Sequence, residues 1–171
     1  MRSTIKIVIL LFFICTSMSG ASFPDMEKYM RQHALIWEQL PMQWNEGAFL
    51  GNGLVGMMVY ADSTLNALVF HLGRPDVTDH RKAPYRKTSI GTEEADKMVD
   101  FCRLDVGKML LFPEGKILSG TFYLDIYNAE LTGHLKTDKG DLTFHAYTPQ
   151  PEEVNIVEVS SGVPYRWKGI P

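Results

Sequence analysis

The sequence predicts an all-β protein, an antiparallel β-sandwich with short helical segments. Two apolar runs, 54–60 and 65–72, are separated by a short polar segment that suits a hairpin turn. Residues 121–126 then alternate, with the apolar side chains on one side of the chain, and residues 142–147 repeat this alternation after a turn-forming stretch. A period of two residues is typical of strands that place one face in a core.

One short helix and one loop are predicted before the first apolar run. Asp25 can act as the N-cap of a helix over 25–30, because its side-chain oxygen accepts from free backbone N–H groups. Residues 39–48 contain proline, asparagine and glycine and are predicted to be a loop. The two runs that follow are apolar at nearly every position, which is typical of strands covered on both faces.

The second half of the chain supplies further strands. Residues 78–89 are basic and irregular, and residues 92–101 are charged and weakly helical, with a threonine as N-cap. Strands are predicted at 106–112, which ends in a Pro-Glu-Gly turn, and at 154–159. Together with the hairpins, these segments indicate antiparallel β structure.

The last hairpin allows a prediction of strand register. If residues 139–140 are the centre of its turn, Leu135 lies opposite Phe144 on the core side, and His134 lies opposite His145 on the other side. Residues that lie opposite each other on neighbouring strands have Cβ atoms about 4.5–5.5 Å apart. Two imidazoles at this separation could hold a metal ion or respond to pH. The alternative is that both histidines are solvated on an outer face, since no third ligand is evident in the sequence.

The N-terminus is predicted to be a secretory signal peptide over 1–21. Its first six residues carry two positive charges, residues 7–15 are almost wholly apolar, and small residues at 19–21 suit a cleavage site. The apolar run is too short to span a bilayer. The chain is therefore expected to be secreted or periplasmic, with no attachment to a membrane after cleavage.

Processing would leave a sandwich domain at 22–160 and a tail at 161–171. The tail is rich in glycine and proline and is predicted to be a linker at which the chain is truncated. Because Cys15 lies in the signal peptide, only Cys102 remains, and an intrachain disulfide is excluded. The domain must then rely on its apolar core, which suits a bacterial extracellular or periplasmic protein.

The charge balance argues against nucleic acid as a partner. The chain has 20 acidic and 17 basic residues and a formal net charge of −3, and loss of the signal peptide makes it more acidic. No cofactor and no metal are predicted. Residues 51–56 have the spacing of a dinucleotide-binding turn, but they precede a strand rather than a helix.

The Gly-Asn-Gly turn at 51–53 and its surroundings resemble a known family. By itself the turn indicates only a tight turn before a core strand. Its setting adds a Gly-Met-Met-Val strand at 56–59, an apolar strand at 68–72 and a polar loop at 73–79. This run resembles the N-terminal β-supersandwich domain of six-hairpin glycosidases, in particular the fucosidase-like enzymes and their uncharacterised bacterial branch, over about residues 35–160.

The resemblance implies a role in carbohydrate cleavage without catalysis by this chain alone. In the family, the sandwich precedes a barrel of paired helices that holds the catalytic acid and base, and sandwich loops can close over the pocket. No stretch of this chain could build that barrel, so no catalytic residue is predicted. Arg74 and Thr78 replace the lysine and tryptophan usual in the uncharacterised branch, which leaves the sugar open. The expected partners are carbohydrate and a separate helical-barrel domain.

The candidate substrate-binding residues are Asn52 in the Gly-Asn-Gly turn and three residues in the polar loop that follows the next strand: Asp76, Asp79 and His80. Their expected role is to orient sugar hydroxyls rather than to transfer protons, with Trp37 or Trp44 as an apolar platform for a sugar ring. The alternative is turn chemistry, because asparagine, aspartate and proline are ordinary loop formers.

A second hypothesis is a free-standing carbohydrate-binding or surface interaction module. It predicts measurable affinity of the isolated chain for a polysaccharide. A supporting domain is instead expected to bind weakly and to expose an apolar face where the barrel would dock.

Overall fold

The computed structural model describes residues 24–78 and 104–171. Its elements, in chain order, are α1 (Met26–Arg31), β1 (Leu35–Trp37), a 3-10 turn (Trp44–Glu46), β2 (Ala48–Gly51), β3 (Gly56–Asp62), β4 (Ala67–Gly73), β5 (Gly107–Pro113), β6 (Ile117–Asp125), β7 (Glu130–Thr137), β8 (Asp141–Tyr147), β9 (Ile156–Ser161) and β10 (Tyr165–Ile170). The predicted signal peptide and the weak helix at 92–101 lie outside these residues. Within the described ranges, no helix is long and apolar enough to cross a membrane.

The strands form two antiparallel sheets of five strands each, packed face to face. Sheet I has the order β1-β6-β7-β8-β9, and sheet II has the order β10-β5-β4-β3-β2. Apolar side chains from both sheets form one shared core. The predicted all-β antiparallel sandwich is confirmed.

Three phenylalanine rings connect the two sheets. Phe144 of sheet I lies between Phe122 of the same sheet and Phe70 of sheet II, with ring centroids 5.5 Å apart in each pair and interplanar angles of 82°. Edge-to-face contacts of this kind are favoured over flat stacking because ring edges are positive and ring faces negative. Fully buried leucines surround the rings: Leu68, Leu111, Leu131, Leu135 and Leu142.

The first hairpin of sheet II lies slightly further along the chain than predicted. The carboxylate of Asp62 accepts hydrogen bonds from the backbone N–H groups of Thr64 and Leu65, and Asn66 has a positive φ of 53°. These features fit a turn at 63–66 rather than at 61–64. β4 is buried on both faces over 67–70, as its sequence predicted, whereas β3 alternates between buried and half-buried residues.

The register predicted for the last hairpin is wrong by two residues. Leu135 pairs with Leu142, His134 pairs with Thr143, and His145 pairs with Thr132, so the two histidines do not face each other. The hydroxyl of Thr137 accepts from the N–H groups of Lys139 and Gly140, which places the turn centre at 138–139. A shift of two residues preserves the faces of the strands, so the core assignment survived the error.

The tail predicted to be a linker contains a strand, so that prediction is also wrong. β10 pairs antiparallel with β5 over its whole length. Trp167 points into the core and packs against Phe70 with ring centroids 5.4 Å apart. One glycine and one proline of the tail, Gly162 and Pro164, lie in the connection between β9 and β10. The packing of Trp167 against the core outweighs the linker-like composition.

The short helix is anchored to sheet I through a carboxylate. Asp25 caps α1 as predicted, accepting from the N–H of Lys28 at 3.2 Å. Arg31, at the end of α1, donates at 2.6 Å to Asp125, which is 6% exposed at the end of β6. Asp125 also accepts from the backbone N–H groups of Tyr127 and Asn128. Burial opposes ionisation of Asp125, but these N–H groups and the charge of Arg31 outweigh it and lower its pKa.

Replacement of Asp125 by asparagine is expected to lower the free energy of unfolding at pH 7 by about 2 kcal/mol, because the amide would present a donor to Arg31. A lowered folded-state pKa adds stability above pH ~4 that is lost as pH falls through that pKa. D125N should therefore show a shallower loss of stability than the parent chain between about pH 5 and pH 2. Urea unfolding at several pH values measures both effects, and the exposed Glu38→Gln serves as control.

A second prediction concerns Gly133, which lies opposite Phe144 in the β7–β8 pair. A Cβ atom at position 133 would overlap the Phe144 ring, so Gly133→Ala is expected to lower the free energy of unfolding by about 1–3 kcal/mol. Gly73→Ala is the matched control, since a Cβ there meets no atom within 4 Å. Thermal unfolding of both variants tests the contact, and equal stability of G133A and G73A would contradict it.

Candidate functional site

Loops from both sheets meet at one end of the sandwich, which we call the loop end. It comprises the β2–β3 turn (52–55), the residues that follow β4 (74–78), those that precede β5 (104–106) and the β8–β9 loop (148–155). Strand register brings the sheet II segments together, since Gly56 pairs with both Gly51 and Gly73. The loop end contains the two predicted site residues that the structure describes, Asn52 and Asp76.

Asn52 joins the two sheets with every hydrogen bond its amide can form. Its Nδ2 donates to the carbonyls of Pro149 at 3.0 Å and Glu152 at 2.7 Å. Its Oδ1 accepts from the backbone N–H groups of Leu54 and Val55, both at 3.0 Å. An asparagine amide offers two donors and two acceptor positions, so none remains for a ligand. Its role here is to shape the loop end, in contrast to the predicted contact with sugar.

Further hydrogen bonds fasten the β8–β9 loop to sheet II. Gln150 donates from Nε2 to the backbone carbonyl of Asn52 at 2.7 Å, and the Gln150–Pro151 peptide bond is cis. Asn155 accepts from the hydroxyl of Thr148 at 2.8 Å and donates to the carbonyl of Gly56 at 3.4 Å. The loop is therefore held at both of its ends and in its middle.

Arg74 holds two carboxylates from different loops. It donates to both oxygens of Asp76, from Nε at 2.7 Å and from Nη2 at 3.0 Å, and its Nη1 donates to Glu153 at 2.6 Å. Bidentate arginine–carboxylate pairs combine charge with directional hydrogen bonds. About half of each acidic side chain remains exposed, 53% for Asp76 and 55% for Glu153. We call these three side chains the Arg74 cluster.

The charges of the Arg74 cluster stabilise one another in their ionised forms. The hydrogen bond from Arg74 holds the pKa of Asp76 below its usual range, and the two carboxylates raise the pKa of Arg74 further above its usual value. Asp76 is consequently a carboxylate at any physiological pH. It can accept hydrogen bonds, but it does not hold a proton to donate.

Next to the cluster, the segment that follows β4 and the segment that precedes β5 are joined by a backbone hydrogen bond. The N–H of Leu104 donates to the carbonyl of Val77 at 3.0 Å, which ties the two sides together. Asp105 accepts from His71 Nε2 at 2.8 Å and from the N–H of Gly107 at 3.0 Å. Partial burial opposes ionisation of Asp105, but these two donors outweigh it and lower its pKa.

The described structure does not bring Trp37 or Trp44 to the loop end. Asp79 and His80 lie outside the described residues. Trp37 packs against Phe122 in the core, and its indole N–H donates to the carbonyl of Glu46, so it offers no platform for a sugar. Trp44 is 63% exposed but lies before β2, whereas Asn52 follows that strand. The tryptophan platform predicted from the sequence is therefore not present at the loop end as described.

Glu153 was not predicted, and it is the acid that joins Asp76. The two residues are far apart in sequence, and only the pairing of the sheets brings their loops together. The one signal in the sequence was the adjacent pair Glu152 and Glu153 after a proline-rich turn, which is weak without a fold. Arg74 was noted only as a departure from the family pattern, yet it organises the cluster.

Two histidines on the outer face of sheet I, His134 and His145, lie beside carboxylates rather than in a metal centre. His145 lies between Glu130 at 3.2 Å and Glu158 at 3.3 Å on the outer face of sheet I. His134 lies 3.5 Å from Asp141. Across 24–78 and 104–171, no three His, Cys, Asp or Glu side chains are grouped so that they could hold a metal ion.

Comparison with known proteins adds no relative from which a function can be transferred. No protein family model and no curated protein matches the chain. The chemistry of the loop end therefore stands on its own geometry.

Asn52→Asp should show that the amide is a structural clamp. A carboxylate keeps the contacts to Leu54 and Val55 but places an oxygen against the carbonyls of Pro149 and Glu152, so the free energy of unfolding should fall by about 2 kcal/mol or more. Asn45 is exposed, and N45D should change it by less than about 0.5 kcal/mol. Chemical denaturation compares the two variants, and equal stabilities would contradict the clamp.

Proposed function

We propose that this chain is the sandwich domain of a secreted, glycoside hydrolase-like protein and that its loop end borders a carbohydrate site. The observation that supports the proposal is the Arg74 cluster, in which one guanidinium holds two exposed carboxylates from different loops. The resemblance of the Gly-Asn-Gly region to six-hairpin glycosidases points in the same direction. In this proposal the catalytic groups belong to a helical-barrel domain that meets the loop end.

The cluster retains the hydrogen-bonding groups that a sugar requires. A guanidinium has five N–H donors, and Arg74 uses three of them on Asp76 and Glu153, which leaves two. The carboxylates keep unused lone pairs on their exposed sides. Vicinal sugar hydroxyls both donate and accept, so one edge of a sugar ring can bond to an N–H group and to a carboxylate together.

The same charges argue for positioning rather than proton transfer. Glycoside hydrolysis needs one carboxyl group that is protonated and can donate to the leaving oxygen. Asp76 is kept ionised by Arg74 and does not meet that requirement. The isolated chain is therefore expected to bind a sugar weakly and to cleave none.

A titration followed by amide NMR shifts tests this function. Neutral monosaccharides, L-fucose among them, are expected to shift loop-end resonances with a Kd of about 1–10 mM. The double variant D76N/E153Q removes both charged acceptors and should weaken binding at least about tenfold. E152Q changes the neighbouring exposed acid outside the cluster and should bind like the parent chain. Absence of loop-end shifts at about 50 mM sugar, or equal binding by D76N/E153Q, would contradict the proposal.

A second candidate function, a carbohydrate-binding module, is favoured by the outer face of sheet I. Tyr123, Thr132 and His145 lie side by side on adjacent strands, and the Tyr147 ring lies 5.1 Å from His145. Exposed tyrosines combine an apolar ring with a polar hydroxyl, which suits a sugar face. In the same titration, shifts confined to this face and abolished by Y123A would favour the module over the loop end.

A further inference from the structure

The two sheets end on the same side in strands that have no neighbour among the described residues. β9 is the last strand of sheet I, β10 is the last strand of sheet II, and only residues 162–164 connect them. The two strands therefore run antiparallel, one above the other, along one open side of the sandwich. Both have six residues.

An apolar cleft opens between these two strands. Its volume is about 380 Å³, and its lining includes Phe70, Leu72, Met109, Val157 and Trp167. Met109 is 39% exposed, and Val157 and Trp167 are half-buried, so the core is incompletely covered here. Removal of such apolar surface from water favours association. The outer edges of the two strands also present backbone N–H and C=O groups that can pair with another strand.

The outer faces of the two edge strands carry opposite charges. Glu158 is the outward-facing charge of β9, and Arg166 and Lys168 are the outward-facing charges of β10. Charges on an edge strand usually oppose pairing between like edges, because like charges repel. Here β9 repels another β9, and β10 repels another β10, whereas β9 and β10 attract.

We propose that this open side is the interface of a symmetric dimer, in which β9 of each copy pairs with β10 of the other. A two-fold axis parallel to the strands preserves strand direction and exchanges the two layers. It therefore places β9 beside the partner's β10 in antiparallel orientation, and it does so in both layers at once. The two sandwiches become one, with two continuous ten-stranded layers and the apolar clefts facing each other.

Symmetry also determines the register of this pairing. A rotation about an axis parallel to the strands leaves each residue at its own height along that axis. The connection is centred on residue 163, so Glu158 and Lys168 lie at the same height, as do Ile156 and Ile170. In the dimer each Glu158 then faces the partner's Lys168, and each Ile156 faces the partner's Ile170. The outward pairs are thus oppositely charged or both apolar.

The occupant is a second copy rather than an unrelated strand, because the open side of one copy is complementary to the open side of another. The edges match in length, direction and charge, and the two-fold arrangement is closed and adds no third chain. The inference does not depend on the proposed sugar site, since β9 and β10 pair along their lengths and the Arg74 cluster is not used.

Sedimentation velocity of the chain and its charge variants tests the interface. The parent chain is expected to shift from monomer to dimer with rising concentration. K168E and E158K each place like charges at both symmetric pairs and should raise the dissociation constant at least about tenfold. The double variant E158K/K168E restores opposite charges and should restore dimer formation. E130Q alters the other acid that contacts His145, away from the edge, and should dimerise like the parent chain.

Cysteine cross-linking tests the register directly. Within one copy, residues 158 and 168 lie in different sheets about 10 Å apart and point to opposite faces, so they cannot form a disulfide. Across the dimer they are direct neighbours. The variant E158C/K168C should therefore form a covalent dimer on oxidation, and the single variants E158C and K168C should form none through this contact.

The outcomes separate the occupants of the cleft. A monomer at every concentration, without cross-linking of E158C/K168C, would overturn the proposal. Dimers that K168E and E158K leave unchanged would place the interface elsewhere, and growth to larger assemblies would show an open rather than a closed pairing. Each of these results contradicts the symmetric dimer.

Discussion

The edge-to-face contact between Phe70 and Phe144 is the interaction on which the rest of the structure depends. It joins sheet II to sheet I at the centre of the core, and no disulfide shares that task in the part of the chain that the structure describes. The separation that the rings maintain brings the β2–β3 turn of one sheet within reach of the β8–β9 loop of the other. Asn52 and Arg74 can then bond across the gap, so the geometry of the loop end follows from the packing of the interior.

The close packing of Phe144 has a requirement of its own. The ring lies against the backbone of β7 where Gly133 leaves room for it. Leu131 and Leu135, on the same face of that strand, are fully buried on either side. The packing of this part of the core therefore requires both the large buried side chains and the lack of a side chain at Gly133.

The sequence predicted those features that depend on local pattern. Alternation identified Phe122, Leu124 and Phe144 as inward-facing. The cap at Asp25 was predicted correctly because it joins residues only three positions apart in the chain. Errors arose where a single side chain decided between local alternatives. Hydrogen bonds of Thr137 shifted the last turn, those of Asp62 shifted the first, and the packing of Trp167 against the core made a strand of a tail with linker-like composition. The partnership of Asp76 with Glu153 depends on the assembly of both sheets, and no local pattern could have indicated it.

The Arg74 cluster contains one positive and two negative groups, so it retains an excess negative charge at neutral pH. Glu152 lies beside it in the same loop and adds to that excess. Under the proposed function, the described acids of the loop end would repel a uronic acid or a sulfated sugar, whereas an uncharged sugar would meet donors and acceptors without this electrostatic penalty. The proposed site is therefore expected to favour neutral glycans over acidic ones.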